Sequence, residues 1–353
     1  MFQVGIVGAG PAGSTCAQVL GKAGFSVAIF DHSYPRQKPC GGLVENRVVE
    51  EFKIPTSLLE NEVKWSLAER FGFRTKVLFD PSHFLVTRRD LDQYLLQRAL
   101  ENKSVTFFKE KVTDVVQKGN WLLRTNAGRH VEVKVLVGAD GCPSSIRNQV
   151  FKPIPQEFLS MTVGYDFSCP PEYVEKNFPK KTIEAYYSNK YVKKQGFIWI
   201  FPKKITINVG MGSRATGRNL KKNMDDFIQS HPAGKRLKNL SGQFYAHLIP
   251  VIPTEKFFDL PCAGNNWALI GDAAGHVNPI SGVGITYAMK GGLLCGSALL
   301  DGDVHLFEER WREEYGDELY FAAKTFSRFY GRSGFLIWMG TILQNFLAAH
   351  GRQ

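Results

Sequence analysis

The sequence predicts an α/β fold: a Rossmann-like dinucleotide-binding domain, an inserted antiparallel β-sheet domain and C-terminal helices. Three observations predict it. An apolar strand from Phe2 runs straight into Gly8-x-Gly10-x-x-Gly13 and a helix pattern. A second strand ends in Asp31, about 20 residues beyond the glycines. Far down the chain, Trp267 to Ile285 reads as a strand ending in Asp272, a turn of small residues and a glycine-led helix.

At the N-terminus, strand, glycines, helix, strand and acid come in the order that a dinucleotide site requires. Gly8 permits the tight turn, Gly10 lets the backbone approach a pyrophosphate, and Gly13 allows close packing of helix on strand. Pro11 and Ala12 complete the loop, and the pyrophosphate would sit on the helix N-terminus. Asp31 ends the strand from Ser26 and is placed to accept a ribose 2′-OH, so it predicts an adenosine ribose without a 2′-phosphate.

Phe84 onward reads as a short strand and then a helix with Leu91, Leu95, Leu96 and Ala99 on one face, which should dock on a sheet. Arg88 stands at the junction, where its guanidinium could reach a phosphate or ribityl chain, or pair with a surface acid. Val133 to Arg147 is another strand ending in an acid and a glycine before a helix. Such strand ends gather at the ligand face of a doubly wound sheet, which makes Asp140, Gly141 and Arg147 candidates for holding a cofactor; the alternative for Asp140 is a cap on the following helix.

The 267–285 stretch suits a flavin. After Gly271, the Asp272 carboxylate can accept hydrogen bonds from a ribityl chain. Pro279, Gly282, Val283 and Gly284 lead to the helix at Ile285, whose N–H groups can face the pyrimidine end of the ring. Negative charge gathers there when flavin is reduced, and the helix dipole stabilises it. His276 is expected as a helix-entry histidine bonded to backbone, with contact to the flavin ring as the alternative.

Because these motifs lie at opposite ends of the sequence, the FAD-binding domain must be discontinuous; its expected pieces are 1–60, 83–152 and 255–305. The substrate domain is expected over 61–82 and 153–254, and a helical segment over 306–353. The middle of the chain holds short alternating segments. Gly196 to Lys203 puts Phe197, Trp199 and Phe201 on one face, with Ile205 to Gly212 as its hairpin partner. Three rings on a face form either core or a cavity wall.

The 353 residues, 44% hydrophobic and 22% charged, suit a large core and two domains and exclude a disordered chain. Six scattered cysteines without C-x-x-C spacing suggest neither a metal site nor a disulfide framework, and a reduced cytoplasmic compartment is expected. The first strand starts at Phe2, so no signal peptide is expected. A net charge of +11 attracts anionic partners. No nucleic-acid-binding motif accompanies it, and lysine pairs such as Lys180-Lys181 and Lys203-Lys204 read first as solvated surface. The uncharged stretch Ser333 to Ala349 is too polar and short for a spanning helix; packing on the protein, a dimer contact or a peripheral place in a membrane interface are its open readings.

These residues together resemble the geranylgeranyl reductase family, within the wider group of flavoproteins built like p-hydroxybenzoate hydroxylase. GAGPAG at 8–13, GADG at 138–141 and GDAAGHVNPISGVGI at 271–285 are similar to the three cofactor motifs of the wider group. Lys38-Pro-Cys-Gly-Gly42 and GFIWIFPK at 196–203 are similar to motifs of the reductases themselves. The resemblance implies FAD, with Cys40, Gly41 and Gly42 near the flavin ring and Val112 among the cofactor residues. It also implies Phe197, Trp199, Phe201 and Pro202 along an apolar tunnel, and gives Cys40 and Trp199 as catalytic candidates. The chain is shorter than the archaeal members that carry an extra C-terminal region, so any substrate-gating part belonging to that region is expected to be absent or reduced.

The expected activity is FAD-dependent saturation of carbon–carbon double bonds in a prenylated, lipid-like substrate. No second G-x-G-x-x-G follows a strand, so electrons would come from transient NAD(P)H or from a protein donor such as ferredoxin. Hydroxylation of an aromatic or apolar substrate by a flavin monooxygenase, and a flavin-binding membrane-associated factor without turnover, are the alternatives.

Overall fold

The computed structural model describes residues 1–35, 37–192, 195–214, 219–331 and 334. The apolar stretch over 333–349 (Gly334 apart) and the lysine pair 193–194 lie outside the described residues. By contact the chain divides into two units, one of Met1–Lys38, Arg88–Phe158 and Ile249–Lys324, the other of Pro39–Thr87, Leu159–Leu248 and Thr325–Gln353.

The first unit is built on a sheet of eight strands. Its parallel core runs in the order Trp267–Leu269, His130–Gly138, Phe2–Val7, Val27–Phe30 and Val105–Phe108. Central parallel strands are covered on both faces, which is why Val4, Ile6, Val27, Ala28, Ile29 and Phe30 form near-unbroken apolar runs and are fully buried. Val112–Lys118 and Asn120–Thr125 add an antiparallel hairpin to His130–Gly138. As the spacing predicts, helix Arg88–Leu100 buries Leu91, Leu95, Leu96 and Ala99.

Two helices of this unit, Pro11–Lys22 and Ile285–Leu300, bring the distant glycine motifs together. A Cβ at Gly292 would stand 2.3 Å from the Ala12 carbonyl oxygen, and one at Gly296 would stand 2.8 Å from Val19. Glycine thus allows backbone-level contact between the helices. This is the α/β architecture that the sequence predicts.

The second unit holds another sheet of eight strands. Their order is Gly242–Pro250, Leu159–Ser168, Thr206–Ser213, Gly196–Pro202, Thr182–Tyr187, Leu59–Arg70, Phe73–Val86 and Leu43–Val44. Pairing is antiparallel where its register is given, except that Thr182–Tyr187 runs parallel to Leu59–Arg70. One face is core: Ile198, Ile200, Ile207, Val209 and Met211 pack with Met224 and Phe227 of helix Leu220–Ser230. The expected hairpin forms, with Trp199 opposite Gly210 and Phe201 opposite Asn208.

The C-terminal part contributes helices Leu306–Trp311 and Asp317–Tyr330. Among the described residues, no helix is long and apolar enough to cross a membrane, and no cluster of His, Cys, Asp or Glu could hold a metal ion.

Candidate cofactor site and aromatic face

In the first unit, the Gly8–Gly13 loop is set by contacts that only glycine tolerates. Gly8 has φ +107°, and a Cβ there would lie 2.2 Å from the Ala139 carbonyl oxygen. A Cβ at Gly13 would lie 1.9 Å from the Gly8 carbonyl oxygen. Gly10 caps helix Pro11–Lys22 through its backbone, with no side chain on the orphan N–H groups of the first turn. Asp31 is buried beside the loop: its Oδ2 accepts the Ala9 N–H at 3.0 Å, and its Oδ1 accepts from Ser33 N and Oγ. Asp31 therefore also fixes the loop that it was expected to serve as a ribose ligand.

Gly271 opens a short 3-10 turn at φ +62°, and a Cβ on it would come within 3.2 Å of the Ala12 Cβ. The turn after Trp267–Leu269 thus abuts the first motif. Asp272 Oδ2 accepts a charge-assisted bond of 2.8 Å from Lys38 Nζ. A Cβ at Gly284 would stand 3.3 Å from Asp272 Oδ1, so the carboxylate lies against the start of helix Ile285–Leu300.

The loop between is folded on Asn278. Its Oδ1 accepts from Ile280 N and Ser281 N, its carbonyl accepts from Gly282 N, and its N–H donates to the Val283 carbonyl. Pro279, Gly282 (φ +73°) and Val283 sit in this loop, and Gly284 again leaves the helix N-terminus without a side-chain cap.

Two uncapped helix N-termini flank one turn bearing Asp272, in cradles that a Cβ would fill. These residues fit FAD: donors for a pyrophosphate and for a pyrimidine ring, and carboxylates at two strand ends.

Other expected cofactor residues are engaged within the protein. Arg88, buried, forks onto Asp92 with Nε–Oδ1 and Nη2–Oδ2 distances of 2.8 Å, so its guanidinium holds a partner on its own helix. Asp140 caps helix Ser145–Val150, accepting from Ser144 Oγ, Ser145 N and Ile146 N; burial raises its pKa against the pull of those bonds. Gly141 follows at φ +79° with open space around it. Val112 is core, 3% exposed. Arg147 is buried beneath the 271–274 turn, donating to the Ala273 and Lys152 carbonyls, and burial lowers its pKa to about 10.

His276 bonds backbone through its own N–H, which donates to the Gly271 carbonyl at 3.1 Å, while its ring is buried 4.4 Å from that of Trp311, with Nδ1 3.0 Å from the Tyr315 hydroxyl. Burial, with Arg147 and Arg312 nearby, drives its pKa down to about 3 and keeps it neutral. Cys142 is pushed up to about 12, first by burial and then by Asp272, with Lys38 opposing.

In the second unit, the 40–42 loop lies on the aromatic strand. The Cys40 thiol accepts the Gly42 N–H at 3.3 Å. A Cβ at Gly41 would stand 2.4 Å from the Phe201 ring, and one at Gly42 (φ +81°) 2.0 Å from the Val86 carbonyl oxygen. Tyr187, Phe197, Trp199 and Phe201 form a row with centroid spacings of 5.4, 5.9 and 6.4 Å. These rings are half-buried, whereas Ile198 and Ile200 on the other face are core. Strand alternation places Pro202 with the isoleucines, away from the rings; it is buried and its carbonyl accepts from Asn61 Nδ2.

Trp199 is held by residues that the sequence did not flag. Its Nε1–H donates to Asn208 Oδ1 at 2.6 Å, while Asn208 Nδ2 donates to Asp166 Oδ1 at 2.7 Å and to Tyr245 Oη at 3.1 Å. A signal existed: Asn208 is the one amide in the alternating run Ile205 to Gly212, in step with the face-lining Gly210 and Gly212.

A family model described as an FAD binding domain matches residues 1–165. The geranylgeranyl diphosphate reductase of Rhodobacter capsulatus is 28% identical over 341 residues, covering 88% of this chain and 80% of that protein. The digeranylgeranylglycerophospholipid reductase of Methanocaldococcus jannaschii is 28% identical over 343 residues, covering 90% and 84%. Among solved structures, a geranylgeranyl bacteriochlorophyll reductase-like protein from Thermoplasma acidophilum matches with a TM-score of 0.74 at 20% identity, over 92% of this chain and 87% of that one. A flavin-dependent brominase matches with a TM-score of 0.74 at 21% identity, over 99% and 90%. Both structural likenesses concern the fold.

Proposed function

We propose that this chain, an FAD-dependent oxidoreductase related along most of its length to geranylgeranyl reductases, saturates isolated double bonds of a polyprenyl group borne by a lipid, quinone or tetrapyrrole. The aromatic row carries this reading. A sheet that buries Ile198 and Ile200 on one face keeps Phe197, Trp199 and Phe201 half-buried on the other, and such a face suits a long apolar ligand. The names of the relatives support the choice, since each is called a reductase of a geranylgeranyl compound.

Bound FAD, once reduced, would supply a hydride to one alkene carbon, and the other carbon would take a proton from a nearby group or a water. Gly8, Gly10 and Gly13 would leave room for its pyrophosphate, Asp31 would meet the adenosine ribose and Asp272 the ribityl chain, with Gly284 and Ile285 at the pyrimidine end. An unactivated alkene offers no carbonyl to polarise, so the protein acts by positioning and by excluding water. The Asn208 bond fixes the Trp199 indole, and the rings beside it would order the chain. The Cys40 thiol would serve turnover from its loop on Phe201. NAD(P)H or a protein such as ferredoxin would reduce the flavin, and substrate exchange would take place at a membrane surface.

The test is anaerobic turnover of dithionite-reduced protein with a mixed pool of prenyl lipids and prenylquinones, read by mass spectrometry. A gain of two hydrogens per bond is expected. Oxygen-dependent hydroxylation with no such gain would replace this reading with a monooxygenase.

A further inference from the structure

The aromatic row does not end at Phe197. Across the sheet Phe197 meets Tyr187, and Tyr187 is paired in register with Arg70, whose guanidinium carbon lies 5.6 Å from the Tyr187 ring centre. Arg70 is 5% exposed. Its other neighbours are the rings of Phe71 and Phe329, with centres at 4.8 and 5.0 Å, and the Phe329 carbonyl oxygen, which accepts from Nη2 at 2.6 Å. Among the described residues no carboxylate pairs with it, and its buried Nη1 has no hydrogen-bond partner. Burial pulls its pKa below the ordinary arginine value, opposed only by the phenols of Tyr187 and Tyr330.

A buried guanidinium without an anion is costly, because aromatic rings supply attraction but neither a counter-charge nor acceptors in the plane of the fork. Arg70 also forms part of the wall of a cavity of about 320 Å³, together with Tyr187, Ser188, Asn189 and Gln195. That volume admits a phosphate-sized group, and the lining adds neutral hydrogen-bonding side chains. The two ends of the row differ in chemistry: Gly41 packs on Phe201 at one, and the unpaired cation waits beyond Phe197 at the other. Phe197 and Phe201 are about 13 Å apart at the usual strand rise, a span suited to several isoprene units.

We infer that Arg70 and the cavity beside it bind a phosphate-type anionic end group of the substrate, while the apolar chain lies along Phe197, Trp199 and Phe201. The inference rests on the polyprenyl reading for the chain but not for the anion. Guanidinium forks suit phosphate oxygens geometrically, and an anion in the cavity would offset the buried charge. The site thereby sets both the class of substrate and its direction along the row.

The test uses FAD-loaded wild type, Arg70→Lys and Arg70→Gln, each checked for flavin content and thermal midpoint. Quenching of tryptophan fluorescence reports binding of geranylgeranyl diphosphate and of geranylgeraniol, and inorganic pyrophosphate is titrated by thermal shift. Wild type should bind the diphosphate more tightly than the alcohol, and Arg70→Gln should lose about 10- to 100-fold for the diphosphate with alcohol binding unchanged. Arg70→Lys should fall between. Equal loss for both ligands, or an unchanged diphosphate preference in Arg70→Gln, overturns the inference. If neither prenyl ligand binds wild type while pyrophosphate still protects it in an Arg70-dependent way, the anion site stands and the polyprenyl reading falls. Pyrophosphate protection that is absent or independent of Arg70, again without prenyl binding, removes both.

Discussion

Lys38 Nζ lies 2.8 Å from Asp272 Oδ2, joining residues 234 positions apart. Their side chains are 16% and 12% exposed, so water screens the pair only weakly. Removing the ammonium alone leaves a poorly solvated carboxylate at the start of helix Ile285–Leu300. Lys38→Met should therefore cost about 1–3 kcal/mol, and the double variant Lys38→Met/Asp272→Asn should recover part of it. Urea unfolding of the four proteins in the cycle gives the coupling; strict additivity would show that the pair contributes nothing.

Gly13→Ala should abolish FAD retention and lower the thermal midpoint. Its Cβ would fall 1.9 Å from the Gly8 carbonyl oxygen, backbone against backbone, so the helix must move off the strand that sets the loop. Gly24→Ala is the control. Gly24 has a positive φ, +80°, but nothing lies within 4 Å, and its cost should stay near 1 kcal/mol with flavin content unchanged. Flavin released on denaturation, per mole of protein, separates the two.

What was legible in the sequence is what local chemistry dictates. Gly8 and Gly13 could be read because turn geometry and helix packing act within a few residues, and the α/β class followed from strands and glycines in order. The alternation of Gly196–Pro202 gave the shared face of Phe197, Trp199 and Phe201, but the same alternation sends Pro202 to the other side. The partners of polar groups were not legible, because tertiary contacts choose them. The sequence left Arg88 open between a phosphate and an acid, and the acid it meets is Asp92 four residues on; Lys38 stood in a recognised motif, yet its carboxylate is at the far end of the chain. Arg70 closes a strand of mixed polarity that gives no hint of its aromatic box.

His276 makes stability depend on pH. Its folded-state pKa, about 3, lies below the unfolded value of 6.5, so its neutral form contributes fully above pH 6.5 and that contribution is lost as pH falls towards 3. The slope is ~1.4 kcal/mol per pH unit, about 2 kcal/mol between pH 6.5 and 5. His276→Gln, which stays neutral and can still meet the Tyr315 hydroxyl, should flatten that part of the profile. Burial lowers His83 and His231 as well, and both remain in the variant. Comparing wild type with His276→Gln in urea at pH 7 and pH 5 isolates the one residue; identical slopes would mean that the ring is protonated without cost.

Cys40→Ala should leave FAD content intact and stability within about 1 kcal/mol, since the thiol is half-buried and accepts one weak bond from Gly42 N–H. Turnover on a prenyl substrate should fall. Unchanged turnover would make Cys40 a small space-filling thiol on the Phe201 loop.

Trp199 and Gly210 should behave as one unit. A Cβ on Gly210 would stand 1.9 Å from the indole, so Gly210→Ala alone must push the ring from the face and strain its 2.6 Å bond to Asn208. Trp199→Phe removes that bond; Asn208 Oδ1 keeps only the Tyr245 hydroxyl at 3.3 Å, at a cost of about 1–3 kcal/mol for a fully buried amide. A phenyl ring leaves more room over Gly210, so Gly210→Ala should cost less in the Trp199→Phe background than in wild type, an interaction of about 1 kcal/mol or more. On the proposed function the face orders the chain before the hydride moves, so each single change should also raise KM for a prenyl substrate more than it lowers kcat. Additive stabilities with KM unchanged would place the indole outside the substrate's path.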